Sequence, residues 1–153
     1  MKLAEALTQR ADATRRVEQL RARIVGSARY QEGEVPPEDA ARLLVESGEV
    51  LDSLESLIRR INRTNATVEM RGGGSLTDAL ARRDVLRLRH AVVTAAADAA
   101  AGRGGGRQLR SELKMLSALP VAELRAQADL LAREIREVDV EIQRTNWEAD
   151  LLD

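Results

Sequence analysis

Asp139, Gln143 and Asn146 follow one another at steps of four and three residues. On a helix that spacing puts a carboxylate and two amides on one stripe. Trp147, the chain's only tryptophan, stands beside them. Asn62 and Asn65 lie about one turn apart near the end of another helical stretch. These six residues form the candidate polar cluster. Amides and carboxylates can hydrogen-bond a ligand or a second subunit if the two helix ends meet. The competing reading is a satisfied inter-helix network that fixes register. A second candidate contact is the segment Arg110-Ser-Glu-Leu-Lys114, in which charged Arg110, Glu112 and Lys114 alternate with neutral residues as in extended chain.

Other chemistry is missing. The chain has no Cys and therefore no disulfide, thiolate metal site or Cys nucleophile. Its one histidine, His90, has Arg87 three residues before it, so the Glu-x-x-His pairs of a di-metal bundle site are absent. Beside Arg87 and Arg89, His90 reads as a surface or interface residue rather than a base. Gly72-Gly73-Gly74 is not followed by the Lys-Ser/Thr of a phosphate-binding loop and reads as a turn. A carboxylate-only magnesium or calcium site stays open, although no loop has EF-hand spacing. No catalytic residue, cofactor or metal ligand is assigned, and no catalytic activity is inferred.

Helices must position these groups. In 153 residues there is one Trp, one Tyr and no Phe, so the core is built from Leu, Ile, Val and Ala. Small side chains of this kind suit narrow helix–helix seams. The spacing predicts four long helices, at about 2–29, 37–70, 76–101 and 120–149, with a long loop at 102–117. Val121, Leu124, Ala128, Leu131, Ile135, Val138, Ile142 and Thr145 give the fourth helix an unbroken 3-4 seam. Leu3, Leu7, Val17, Leu20 and Ile24 mark the first. Leu44, Ser47, Leu51, Leu54, Ile58, Ile61, Asn65 and Val68 are the expected seam of the second, and Leu80 or Ala81, Val85, Leu88, Val92, Ala95 and Ala99 that of the third. Gly48, in the middle of the second helix, is expected to mark a kink or a close backbone contact. The fold class is all-α: one domain of two antiparallel helical hairpins, an elongated, coiled-coil-like bundle.

The hairpins look duplicated. Leu3-Ala-Glu-Ala-Leu7-Thr-Gln-Arg10 matches Leu76-Thr-Asp-Ala-Leu80-Ala-Arg-Arg83, and Ile61-Asn-Arg-Thr-Asn65 matches Ile142-Gln-Arg-Thr-Asn146. The two matches occur in the same order, as two copies of one hairpin require.

The motifs Ile61–Asn65, Leu76–Asp84 and Arg110–Lys114, with the series Ala128-Asp-x-Leu, Ile135-Arg-Glu-Val-Asp139 and Asn146-Trp147, resemble a family of small bacterial proteins of unknown function labelled septicolysin-like. The resemblance implies an all-helical oligomeric protein with no assigned activity. The residues give the pore-forming label little support. Aromatic interface anchors are nearly absent, and no segment combines a wide apolar face with a basic one.

Charge and location complete the expectation. Lys and Arg total 24 against 25 Asp and Glu, without the basic excess of a dedicated nucleic-acid binder. The start, Met1-Lys2-Leu3-Ala4-Glu5, lacks the apolar core of a signal peptide. The run Ala91–Ala101 is too short to span a bilayer. The reading is a cytoplasmic protein without a membrane partner, acting through self-association as a dimer or a hexamer built from dimers. Apolar residues beyond one seam, such as Leu43, Val50 and Leu57, need a cover that a second subunit can supply. One alternative is an RNA-associated helical hairpin, comparable in outline to the coiled-coil arm of seryl-tRNA synthetases. Its basic edge would be Arg15, Arg16, Arg21, Arg23, Arg103, Arg107 and Arg110. Another is a small-molecule pocket at the polar cluster.

Overall fold

The computed structural model describes residues 1–103 and 113–153. It contains α1 (Leu3–Ser27), α2 (Ala40–Thr67), α3 (Leu76–Ala100) and α4 (Val121–Glu148). Among the described residues the only extended pairing is two isolated antiparallel bridges, Lys2 with Asp150 and Glu69 with Ser75. The fold is all-α, as the spacing predicts. The chain divides into two compact units, Met1–Val68 with Thr145–Asp153, and Glu69–Arg144.

Helix ends follow local chemistry. α2 starts at Ala40, three residues later than expected, because Asp39 supplies the cap: its carboxylate accepts from Arg42 N at 3.2 Å. α2 stops at Thr67, where Val68 turns extended (φ −71, ψ 125) and frees Glu69 for its bridge. Before α4, the Ser117 hydroxyl donates to Leu119 O at 2.6 Å, so it shapes the turn ahead of Pro120 instead of capping the helix. A Cβ at Gly48 would meet no atom within 4 Å, so the close contact expected there is absent.

In the first unit α1 packs on α2. Leu3, Ala6 and Leu20 are buried from α1, and Leu43, Ile61 and Thr64 from α2. The expected α2 seam holds at Ile61, which is buried, and fails at Leu44 and Leu51, which are 58% and 47% exposed. Leu43, read as lying beyond the seam, is buried, and Val50 and Leu57 are half-buried like Leu54 and Ile58 of the expected seam, so the inward face is wider than that seam and takes in both sets. Both sets have helical spacing, and periodicity alone cannot choose between them. Two ion pairs, Arg16–Glu46 and Arg23–Glu38, span the hairpin beside the buried Leu43.

In the second unit Leu86 and Val93 of α3 meet Ala128 and Leu131 of α4, with Leu124, Ile135 and Val138 packed around them. The α4 seam is the expected one. The α3 seam is not. Val85, Leu88 and Val92 are 53%, 67% and 69% exposed, while Leu76, Leu86, Val93 and Ala97 are buried. α3 is apolar on two opposite faces. Charged pairs flank the inner one: Arg83 and Arg87 reach Asp139, and Asp98 reaches Arg125 at 2.6 Å.

Candidate functional site

The segments that follow α2 and α4 form two joints, one in each unit. In the first unit, buried Thr64 donates to Arg60 O at 2.8 Å, and its oxygen accepts from Leu152 N at 3.0 Å. Arg60 Nε donates to Leu152 O at 3.0 Å, its guanidinium meets the Asp153 carboxylate at 3.0 Å, and Arg63 donates to Asp153 O. The end of α2 therefore clasps the segment that follows α4. That segment also joins the start of α1. Leu3 N donates to Ala149 O at 3.0 Å, Leu151 N to Met1 O at 2.9 Å, and Lys2 Nζ to Glu148 O at 3.0 Å. Lys2 Nζ also lies 2.8 Å from the Asp150 carboxylate. Its hydrogen bond, and then its charge, hold that carboxyl below the usual aspartate range.

The second unit has an equivalent joint closed by a turn. Met70 N donates to Gly74 O at 2.8 Å and Gly73 N to Met70 O at 3.0 Å. Gly73 and Gly74 take φ of +92 and +77, where a side chain would be strained. Ser75 caps α3: its hydroxyl accepts from Asp78 N at 3.2 Å, and its own N–H donates to the Asp78 carboxylate at 2.8 Å. The backbone bond, followed by the hydroxyl bond, lowers the Asp78 pKa.

Asn62, Asn65, Asn146 and Trp147 belong to the first unit, Asp139 and Gln143 to the second. Asp139 is committed, with one carboxylate oxygen 3.3 Å from Arg83 and the other 3.3 Å from Arg87. Asn146 is buried and Asn65 half-buried, whereas Asn62 and Gln143 are exposed and Trp147 is 63% exposed. Of the loop candidates, Lys114 is exposed, and Arg110 and Glu112 lie outside the described residues.

A hollow of about 290 Å³ in the second unit was not foreseen. Met70, Gly72 and Gly73 form one side; Asp78 and Arg82 of α3 face Glu134, Glu137 and Glu141 of α4. The 3-4 spacing of those glutamates is the sequence signal that marks it. Three of its carboxylates are engaged: Asp78 by Ser75, Glu137 by Arg133 at 3.3 Å and Glu141 by Arg144 at 3.0 Å. Among the described residues no three His, Cys, Asp or Glu side chains are grouped to hold a metal ion. Nor is any helix among them long and apolar enough to cross a membrane.

The fold is that of an all-α protein of two helical hairpins. The chain belongs to a family of unknown function, DUF6847, which it matches over residues 10–151. It is similar to a functionally unknown conserved protein from Corynebacterium diphtheriae known from a crystal structure, at 41% identity over 99% of each chain and a TM-score of 0.91. No curated protein matches it. Nothing in these matches carries a septicolysin-like link.

Proposed function

We propose that this protein acts by self-association, as a helical assembly unit without catalysis. One observation carries the reading. Two apolar stripes regular enough to be taken for internal seams, Leu44 with Leu51 on α2 and Val85 with Leu88 and Val92 on α3, are exposed in the single chain. Stripes of this length and regularity are what helices present to other helices. The expected assembly is a dimer, or a hexamer built from dimers, in the cytoplasm. The septicolysin-like resemblance enters this reading as kinship to small helical oligomers and brings no pore chemistry with it. Light scattering at micromolar concentration tests the proposal: a mass of two or six chains is expected, and a mass of one chain overturns it.

The RNA reading is weaker on charge. Arg15 pairs with Asp12, Arg16 with Glu46, Arg21 with Glu18 and Arg23 with Glu38, so the arginines of the expected basic edge on α1 have carboxylate partners. A phosphate backbone would compete with each of these pairs. The pocket reading loses the Asp139 carboxylate, which two arginines already occupy.

A further inference from the structure

Arg59, Arg60 and Arg63 stand close together towards the end of α2. With Ser56, about one turn earlier, and Asp153 they line a hollow of about 340 Å³ in the first unit. Cations three and four residues apart on one helix face repel each other. Part of that charge is met: Arg60 reaches the Asp153 carboxylate at 3.0 Å, and Arg63 donates to Asp153 O. The Asp153 side chain is fully exposed, so this pair sits at the rim, in water. Arg59 makes no ion pair among the described residues. Glu55, four residues before it, lines a neighbouring hollow with Arg59 and forms no ion pair with it.

The fold itself does not call for these arginines. The offset that aligns Ile61 with Ile142 carries Ser56, Arg59, Arg60 and Arg63 onto Glu137, Val140, Glu141 and Arg144. The second unit closes its own joint with a single arginine at those positions, and Glu141 pairs with it at 3.0 Å. The hollow beside that joint sets Asp78, Glu134, Glu137 and Glu141 against Arg82 and is acidic. Matching positions therefore carry opposite charge in the two units, and the cationic set belongs to the first alone.

We propose that Ser56, Arg59, Arg60 and Arg63 form a binding site for a phosphate dianion, free or as the monoester of a small molecule. The three guanidinium groups outnumber the acidic groups in the hollow, so charge is left for a further anion. Each guanidinium offers parallel N–H donors that match two phosphate oxygens, and the Ser56 hydroxyl adds one more donor. A nucleic-acid backbone needs a run of free cations, whereas the α1 arginines are paired. Ser56 and Arg60 also line a hollow of about 430 Å³ with Ala13, Val50, Leu54 and Leu57, which can take the organic part of a monoester. Asp153 holds an anion's place at the rim and competes with the ligand.

Isothermal titration calorimetry on the whole protein tests the site, using inorganic phosphate, glycerol phosphate and, as the control at matched ionic strength, sodium chloride. Saturable binding of phosphate at one site per chain is expected. Arg59→Ala, at an exposed helix position, should keep the helical circular dichroism and weaken binding about 10-fold or more. Arg29→Ala, which removes the same charge outside the hollow, should leave binding unchanged. Asp153→Asn should tighten it by about 2- to 5-fold. Inorganic phosphate bound as tightly as the monoester, or more tightly, identifies the free anion as the ligand; a preference for the monoester extends the site into the apolar hollow. Heats no larger than those of chloride overturn the proposal. So does an affinity that Arg59→Ala leaves intact, that Arg29→Ala weakens equally, or that Asp153→Asn fails to raise.

Discussion

Before α1, Lys2 pairs with Asp150; before α3, Ser75 pairs with Glu69. The offset that carries Leu3 onto Leu76 carries Lys2 onto Ser75, and the offset that carries Ile61 onto Ile142 carries Glu69 onto Asp150. The hydrogen bond from Leu151 N to Met1 O then corresponds to that from Met70 N to Gly74 O. Glu5 and Asp78 both accept from the backbone N–H three residues before them. Burial repeats as well: Leu3 with Leu76, Ile61 with Ile142, Thr64 with Thr145, Met70 with Leu151. The outer faces do not repeat. The counterparts of Val85, Leu88 and Val92 in α1 are Asp12, Arg15 and Gln19, and those of Leu44 and Leu51 in α4 are Arg125 and Ala132. Packing holds the interior of both copies to one pattern. The exterior carries no such constraint, so an apolar stripe present in one copy alone marks a surface with a task of its own.

If the interiors are true copies, equal deletions should cost alike. Ile61→Ala and Ile142→Ala, each at a position about 1% exposed, should each lower unfolding stability by about 2–5 kcal/mol, the range for truncating a buried Ile. Urea unfolding followed by circular dichroism measures both. A cost near zero at one position and several kcal/mol at the other would break the correspondence.

The copied interior was partly legible in the sequence and the joints were not. Two short motif pairs suggest a repeat, and Leu3, Leu76, Ile61 and Ile142, which those motifs align, are all buried. The α4 seam was legible because charged residues fill most positions outside it. α2 was legible only in part and α3 was not, because each carries apolar residues on more than one side and helical spacing alone cannot choose which side packs on the partner helix. Single-residue bridges leave no strand-like run to detect. Of the candidate polar cluster, Asp139 pairs with Arg83 and Arg87 of α3, partners too distant in sequence for the spacing of α4 to disclose.

The two joints differ in how they hold a carboxylate, and acid titration separates them. Asp78 is lowered chiefly by neutral hydrogen bonds from Ser75, Asp150 by the Lys2 ammonium. Both folded-state pKa values lie below the unfolded one. Each therefore contributes stability that is present above about pH 4 and lost as pH falls through the folded value. Asp78→Asn and Asp150→Asn should each flatten the acid limb of the stability curve. Salt screens the charged pair more than the neutral cap. In high salt, the wild type and Asp150→Asn should converge on the acid limb, while Asp78→Asn stays distinct. Thermal melts across pH at two ionic strengths provide the comparison, and convergence of both variants with wild type would show that charge alone governs the two joints.

The smallest expected effect comes from a position where the copies differ without structural need. Gly48 lies within α2, and its counterpart in α4 is exposed Asp129, which carries a Cβ at the same place in the repeat. A Cβ at Gly48 meets nothing within 4 Å. Gly48→Ala should therefore stabilise the protein by about 0.5–1 kcal/mol, because alanine narrows the unfolded ensemble and costs the helix nothing. A rise in the urea midpoint at constant slope is the signature. A fall would mean that the backbone at Gly48 is approached in the assembled protein by a surface absent from the single chain. The exposed Leu44 and Leu51 stripe beside it would then be a subunit contact, and α2 would join α3 in separating the exterior of one copy from that of the other.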